Sequence, residues 1–394
     1  MTTLNTQLEL NKVVVANAFS MVYESSALLP SVTIQPVNNL GTGEQYVNLK
    51  KPVKFNGRVG SKVFSAETIK EQTVLLALIK DYGVDFAFDD AELSLSVEDL
   101  SVNYFQPAIK TIVKNIETDF YKTVVAGAGS TTVGTIATAL DTLYTAGTAL
   151  NERGAMGARK FIGTPKVIEG ILKQGRPLFN DSTELAKQYK EGTAGRIAGV
   201  DIYDSFRMPK MAVGTIADAT ATITAVEGAD ALTVTFATGG TLSMGQPFTV
   251  AGVNELNEEG VDLGTLKVFR ASADYTIVAA TPIAITVQHK LWWTASDSRK
   301  NLSATPVGSK AVDFQGTAGA NQAIEFVKEA IVLGCVQLQS PAGHDSVATY
   351  SEDGLSIRFI RTFDEINAVW NCRFDCRVGY VVARPEFITG LILT

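Results

Sequence analysis

Few residues in this chain are of a type that could do chemistry. Two histidines occur among 394 residues. His289 stands beside Lys290 and Trp292-Trp293, and His344 follows Pro341-Ala342-Gly343 and precedes Asp345. A histidine backed by a carboxylate is half of an acid–base relay, but the relay needs a nucleophile. No Ser or Cys stands at a recognisable spacing from either histidine. The three thiols are Cys335, Cys372 and Cys376. Four residues along a strand span about 13 Å, so Cys372 and Cys376 cannot share a zinc ion or a disulfide. They read as small buried apolar residues. The run Gly127-Ala128-Gly129-Ser130-Thr131-Thr132-Val133-Gly134 has the glycine content of a phosphate loop, but it follows a helical pattern and lacks the lysine. It reads as a flexible hinge. No catalytic, cofactor-binding or metal-binding residue is expected, and an enzyme built on His289, or on His344 with Asp345, is the alternative the residues support least.

Charge is organised more tellingly. Lys50, Lys51, Lys54, Arg58 and Lys62 fall in thirteen residues without an acid, inside a Gly-punctuated excursion between two strand patterns, Tyr46–Leu49 and Thr73–Ile79. Asp81, Asp85, Asp89, Asp90 and Glu92, followed by Glu98 and Asp99, then form an acidic stretch without a base. A long two-stranded ribbon alone is marginally stable in water. A basic projecting arm next to an acidic segment therefore suggests pairing with a neighbouring copy in a head-to-tail ring. The plainer alternative is two solvated faces.

The elements that must position these charges follow from periodicity. Leu8 to Leu29 has an amphipathic helical pattern, with Pro30 and Pro36 forcing an extended exit; it serves either as an arm onto another subunit or as a packed first helix. Val102 to Val125 is the clearest helix: Phe105, Ile109, Ile112, Val113, Ile116, Phe120 and Val124 keep three-four spacing, and Pro107 suits a first turn. Ile136 to Arg153 predicts a second helix, Lys160–Gly163 a strand, and Pro165–Lys173 a short helix capped by Thr164. Gly195 to Tyr203 predicts a strand ending at Met208-Pro209. From Ala212 to about Val287 the chain turns rich in Thr, Ala, Gly and Val, with short alternating runs that argue a small β-barrel or sandwich inserted into an α/β region. Its eight acids from Asp218 to Asp274, against Lys267 and Arg270, give a net charge of about −6, which disfavours contact with nucleic acid. From Ile366 the chain reads as one long strand. Asn371, Arg373, Asp375 and Arg377 alternate with Cys372, Phe374, Cys376 and Val378, until Pro385, which has no N–H to give, ends the pairing. Such alternating charge suits a wall of neighbouring subunits.

Bulk properties agree. Charged residues are 19% and mean hydropathy is +0.13, poor in charge for a solvated monomer, whose surface usually carries about 25–35%. The net charge of −7 excludes a strong grip on phosphate backbones. No apolar run reaches the roughly 20 residues of a membrane helix, and Met1–Leu10 lacks a signal-peptide layout. A cytoplasmic product that assembles, without a membrane partner, is expected.

This order of a long helix preceded by an arm, an α/β stretch, a β-rich insertion and a strand–Arg384-Pro385–strand ending resembles the Hong-Kong-97-type major capsid proteins of tailed bacteriophages. The insertion after Met208-Pro209, in particular Gly239–Val253 and Leu266–Arg270, narrows the resemblance to the Salmonella podovirus coat-protein family. The resemblance implies an α+β capsid fold with an N-terminal helix and arm (1–44), an extended β arm (45–80), a peripheral domain with the spine helix (81–126 and 310–350), a mixed α/β axial domain with the C-terminal strands (127–211 and 351–394), and an inserted β-barrel domain (212–288). It also implies self-assembly as pentamers and hexamers into an icosahedral shell around double-stranded DNA without sequence-specific binding. Scaffolding protein and portal would be partners, assembly would occur in the host cytoplasm, and the product would be the virion. A nanocompartment shell of the same fold, an encapsulin, is the alternative. The family's isopeptide crosslink needs an asparagine near the C-terminus. None follows Asn371, so no crosslink is expected.

Overall fold

The structure is a computed structural model that describes residues 28, 31–37, 45–55, 68–89, 104–175, 196–197, 199–338, 346–352, 355–364, 366–367 and 369–394. It divides into two compact units. One comprises Met1–Leu49, Leu75–Phe120 and Ile331–Val381, the other Lys50–Val74, Tyr121–Ala330 and Val382–Thr394. The amino-terminal helical pattern lies outside the described residues except for Leu28, which is buried.

The first unit is built on a six-stranded sheet ordered Thr33–Val37, Ile331–Val336, Val369–Val382, Leu355–Asp364 and Ser346–Glu352, with Lys80–Asp89 also paired to Val369–Val382. The expected long strand is present, and Cys372, Phe374, Cys376 and Val378 form its buried face. Phe105, Phe359 and Phe374 meet with ring centroids 4.7–5.7 Å apart, the range of favourable tilted and edge contacts. Helix α1, Gln106–Gly127, follows directly. Pro107 lies in its first turn, where a missing N–H costs nothing, and Ile109, Ile112, Val113 and Phe120 are buried at three-four spacing. The helix belongs to the first unit through Phe120 and to the second from Tyr121.

The second unit contains a mixed sheet ordered Ser130–Gly134, Ile388–Leu393, Asn321–Val327, Arg159–Gly163, Val200–Asp204 and Arg196–Ile197. Helices α2, Ala139–Glu152, and α3, Pro165–Gly175, cover it. Leu140, Leu143, Ala146, Val167 and Ile171 pack with Phe161, Leu391 and Leu393. Three expectations change here. The glycine-rich run is no hinge, because Ser130–Gly134 is an edge strand parallel to Ile388–Leu393. The single strand expected over Gly195–Tyr203 is a hairpin turning at Gly199, whose φ of +78° suits glycine. Thr164 opens α3 with its carbonyl, which accepts from the Val167 and Ile168 amides, while its buried hydroxyl makes no hydrogen bond.

The β-rich region is an antiparallel six-stranded sheet ordered Asp262–Arg270, Pro247–Leu256, Gly308–Phe314, Thr220–Ala225, Ala231–Phe236 and Ile283–Thr286, with Gly240–Leu242 and Tyr275–Ile277 as a separate pair. One apolar core joins Ile223, Leu232, Val234, Phe236, Phe248, Val250, Phe269, Ile285 and Val312. Asp262–Arg270 and Ile283–Thr286 stand at the two ends of this ladder, and just past the first of them Ser272 N–H donates to Thr286 O of the other at 3.0 Å. The boundary at 288 falls short: Gly308–Phe314 pairs with Pro247–Leu256 on one side and Thr220–Ala225 on the other. The expected domain limits at 310–350 and 351–394 shift for a related reason. Asn321–Val327 and Ile388–Leu393 join the α/β sheet, whereas Leu355–Asp364 and Val369–Val382 complete the sheet of the first unit.

Candidate functional site: the basic arm and the acidic strand

Tyr46–Lys50 and Thr73–Ala77 form the expected ribbon. Its last described backbone rung is Lys51 N–H donating to Gln72 O at 2.9 Å. Lys50 and Glu71 make an exposed ion pair at 3.0 Å. Burial lowers the Lys51 pKa, with Glu386 pulling the other way. Lys54 Nζ donates to the carbonyl of Glu258 at 3.1 Å, and Lys70 Nζ to Asp297 at 3.0 Å. Arg58 and Lys62 lie outside the described residues.

The acidic stretch opens as a strand that the sequence reading left without structure. Lys80–Asp89 runs antiparallel to Val369–Val378, placing Asp81 opposite Arg377 and Asp85 opposite Arg373. Arg377 donates through Nε and Nη2 to the two oxygens of Asp81 at 2.5 and 2.8 Å. That hydrogen bonding holds the Asp81 carboxyl below its usual range, against a smaller opposing effect of burial. Arg373 Nε lies 2.5 Å from Asp375 and 3.5 Å from Asp85, and Arg358 contacts the buried Asp375 at 2.6 Å. The charges expected to need a neighbouring subunit are therefore answered within the chain. The acids repeat every four residues at 81 and 85, and the bases do the same at 373 and 377; this mirrored spacing was the available signal. At the strand's start, Lys80 Nζ lies 4.4 Å from the centre of the Tyr380 ring and 3.6 Å from Asp119. Asp119 also accepts from Tyr82 Oη at 2.9 Å, and burial pushes the Tyr82 pKa up. Asp89 continues the register opposite Val369, while Asp90 and Glu92 lie outside the described residues. Lys50, Lys54 and Lys70 of the arm, and Asp81 and Asp85 of the strand, each pair with other residues of their own unit.

Sequence reading missed a buried network in the second unit. Arg153 donates through Nε and Nη2 to one oxygen of Glu255 at 2.9 and 2.8 Å, and Lys267 donates to the other at 2.7 Å. All three are buried. Burial alone would raise the Glu255 pKa, but Lys267 and Arg153 outweigh it and leave the carboxyl below its usual value. Three residues on, Glu258 N–H donates to Arg153 O at 3.2 Å, and its carboxylate pairs with Arg384, which also reaches Glu386 at 3.4 Å. The Pro247–Leu256/Asp262–Arg270 hairpin thereby joins the end of α2 to the Arg384-Pro385 turn. Only lone charges in apolar runs hinted at this.

Of the two histidine candidates for chemistry, His289 lies among the described residues. Both ring nitrogens of His289 are buried without a hydrogen-bond partner, and burial pushes its pKa well below the usual value. The ring stacks on Phe269 at 6.4 Å. His344 and Asp345 lie outside the described residues. The three thiols are free and buried. Burial pushes Cys372 up to about 12, and Cys335 Sγ accepts from the Ser356 N–H at 3.2 Å.

Compared with known proteins, the chain matches the family model for P22 coat protein, gene protein 5, over residues 80–393. No curated protein matches it in sequence. Among solved structures it is similar to one from Mycobacterium phage Che8, at 12% identity and TM-score 0.47, covering 89% of this chain and 85% of that one. The asymmetric unit of the bacteriophage PhiM1 mature capsid gives 11% identity and TM-score 0.45, covering 94% and 87%. A virus-like particle from Pyrococcus furiosus gives 11% and 0.44, covering 98% of each chain.

Proposed function

The chain belongs to the P22 coat protein family, and on that premise we propose that it is a major capsid subunit that self-assembles as pentamers and hexamers into an icosahedral shell around double-stranded DNA. The observation that carries this reading is the family match from residue 80 to residue 393. That span takes in the long helix, the β-rich region and the strand–Arg384-Pro385–strand ending. The role is structural, not enzymatic, and the place of the protein is the virion. Scaffolding protein and portal are the proposed assembly partners, with assembly in the host cytoplasm. With a net charge of −7, the subunit encloses DNA without gripping it by sequence. Membership in a phage coat family favours this over the nanocompartment alternative.

The arm remains the proposed contact to a neighbouring subunit, through Lys50, Lys51, Lys54, Arg58 and Lys62. On the acidic side the proposed set is Asp81, Asp85, Asp89, Asp90 and Glu92, with Asp85 favoured over Asp81. Arg377 closes off Asp81, whereas the Asp85 side chain is 74% exposed and only 3.5 Å from Arg373, leaving it able to accept from a second partner. A single exposed pair contributes at most about 1 kcal/mol, but a shell repeats each contact at every copy. Co-expression with a scaffolding protein, size-exclusion chromatography and negative-stain imaging test the reading. Closed particles of uniform size are expected. A well-folded monomer alone, at high concentration and with scaffold present, would overturn it.

A further inference from the structure

The described part of the arm is not free of its own subunit. Its two legs, one leaving through Lys54 and the other returning through Lys70, both end on the β-rich region and the loop that follows it. On the returning leg the acceptor is already built. The Asp297 side chain is only 9% exposed and accepts from Arg299 N at 2.9 Å, Nε at 2.9 Å and Nη2 at 2.7 Å. The Arg299 guanidinium lies 3.4 Å over the Trp292 ring. Glu227 holds the same loop by accepting from the Trp293 and Thr294 amides and the Thr294 hydroxyl. These Arg299 contacts hold the Asp297 carboxyl below the usual carboxylate range. The aspartate stays charged and partnered whether or not Lys70 is present, so Lys70 can leave without stranding a buried charge.

On the outgoing leg, Lys54 donates to a carbonyl in an equally fixed turn. Asn257 Oδ1 accepts from the Glu259 and Val261 amides at 3.0 and 2.8 Å, and Glu258 is tied to Arg153.

We propose that the β-rich region straps the arm to its own subunit through Lys70–Asp297 and Lys54–Glu258, a releasable contact that fixes the direction in which the arm leaves the body. This goes beyond the coat-subunit reading and rests on it only for the consequence: a strapped arm presents itself to a neighbour in one orientation, so less ordering entropy is lost on contact.

Hydrogen exchange on the full-length, unassembled chain tests the strap directly. In Lys70→Ala, amides of 68–74 should exchange about two- to five-fold faster, and Lys70→Arg should keep the wild-type protection. Lys54→Ala should do the same for 51–55. Unchanged exchange at 68–74 in Lys70→Ala overturns the proposal. So does acceleration that spreads to Asn321–Val327, which would report general destabilisation in place of a local release. If the local acceleration appears but neither wild type nor variants form particles with scaffold, the strap stands and the coat-subunit reading falls.

Discussion

Glu255 and Glu325 are both buried carboxyls facing arginine, yet their chemistry runs in opposite directions. Glu255 has two cations and three hydrogen bonds from them to offset its desolvation, and its pKa is lowered. Its stabilising contribution is therefore present above its unfolded pKa and is lost as pH falls through the folded one. Removing it strands two buried cations. Glu255→Ala is expected to cost about 3–5 kcal/mol in urea unfolding at neutral pH; a loss under about 1 kcal/mol would contradict the network. Glu325 has Arg159 alone, at 3.2 Å, and its second oxygen lacks a partner. Burial pushes it up to about 7, with Arg159 pulling the other way. Between the unfolded value and about 7 the folded chain binds the extra proton, so stability should decline as pH rises across that window. Glu325→Gln keeps an acceptor for Arg159 and removes the titration. Urea midpoints from pH 5 to pH 8 should fall for the wild type and flatten for the variant. Equal slopes would show that Glu325 does not set the trend.

At the scale of elements, what was legible is what is local. Helix α1 was visible because its apolar stripe and Pro107 lie in one stretch, and the final strands because Cys372, Phe374, Cys376 and Val378 alternate with polar residues. Lys80–Asp89 was not, because its acids resemble a solvated face until Arg373 and Arg377, nearly three hundred residues away, are set against them. Ser130–Gly134 was hidden by its own glycines, and becomes a strand only because Ile388–Leu393 offers an edge. The long strand also contains a position that only its neighbour explains. A Cβ built on Gly379 would sit 2.1 Å from the Ala77 carbonyl oxygen, so the chain entering from the ribbon passes directly over it. Gly379→Ala must push one backbone away from the other. By the usual penalty for overpacking it should cost about 1–3 kcal/mol, seen as a lower urea midpoint, and Gly379→Val should cost more. A stability equal to wild type would mean that the two segments are not packed this closely.

Each body borrows strands from distant sequence, and this is why domain limits drawn along the chain do not follow the sheets. The change to Thr, Ala, Gly and Val after Met211 lies shortly before Thr220–Ala225, the first strand of the β-rich sheet. Its end was misplaced because Gly308–Phe314 comes after the loop carrying Trp292, Asp297 and Arg299, where the alternating pattern has lapsed. That strand is the third of six, and Val312 lies in the core with Phe248, Val250 and Phe236. A fragment ending at 290 therefore leaves the Pro247–Leu256 and Thr220–Ala225 strands each with an unpaired edge facing an unfilled core, whereas one ending at 316 has every strand of the sheet. All the pairings are antiparallel and fall within this stretch, so its folding needs no partner from elsewhere in the chain. Residues 210–316 expressed alone should give a dispersed, β-type amide-proton spectrum and a cooperative urea transition, and residues 210–290 should give neither. A folded 210–290 fragment would show that the last strand is an accessory. A collapsed spectrum from 210–316 would show that the Glu255 and Glu258 contacts to Arg153 and Arg384, which that fragment lacks, are needed to hold the sheet.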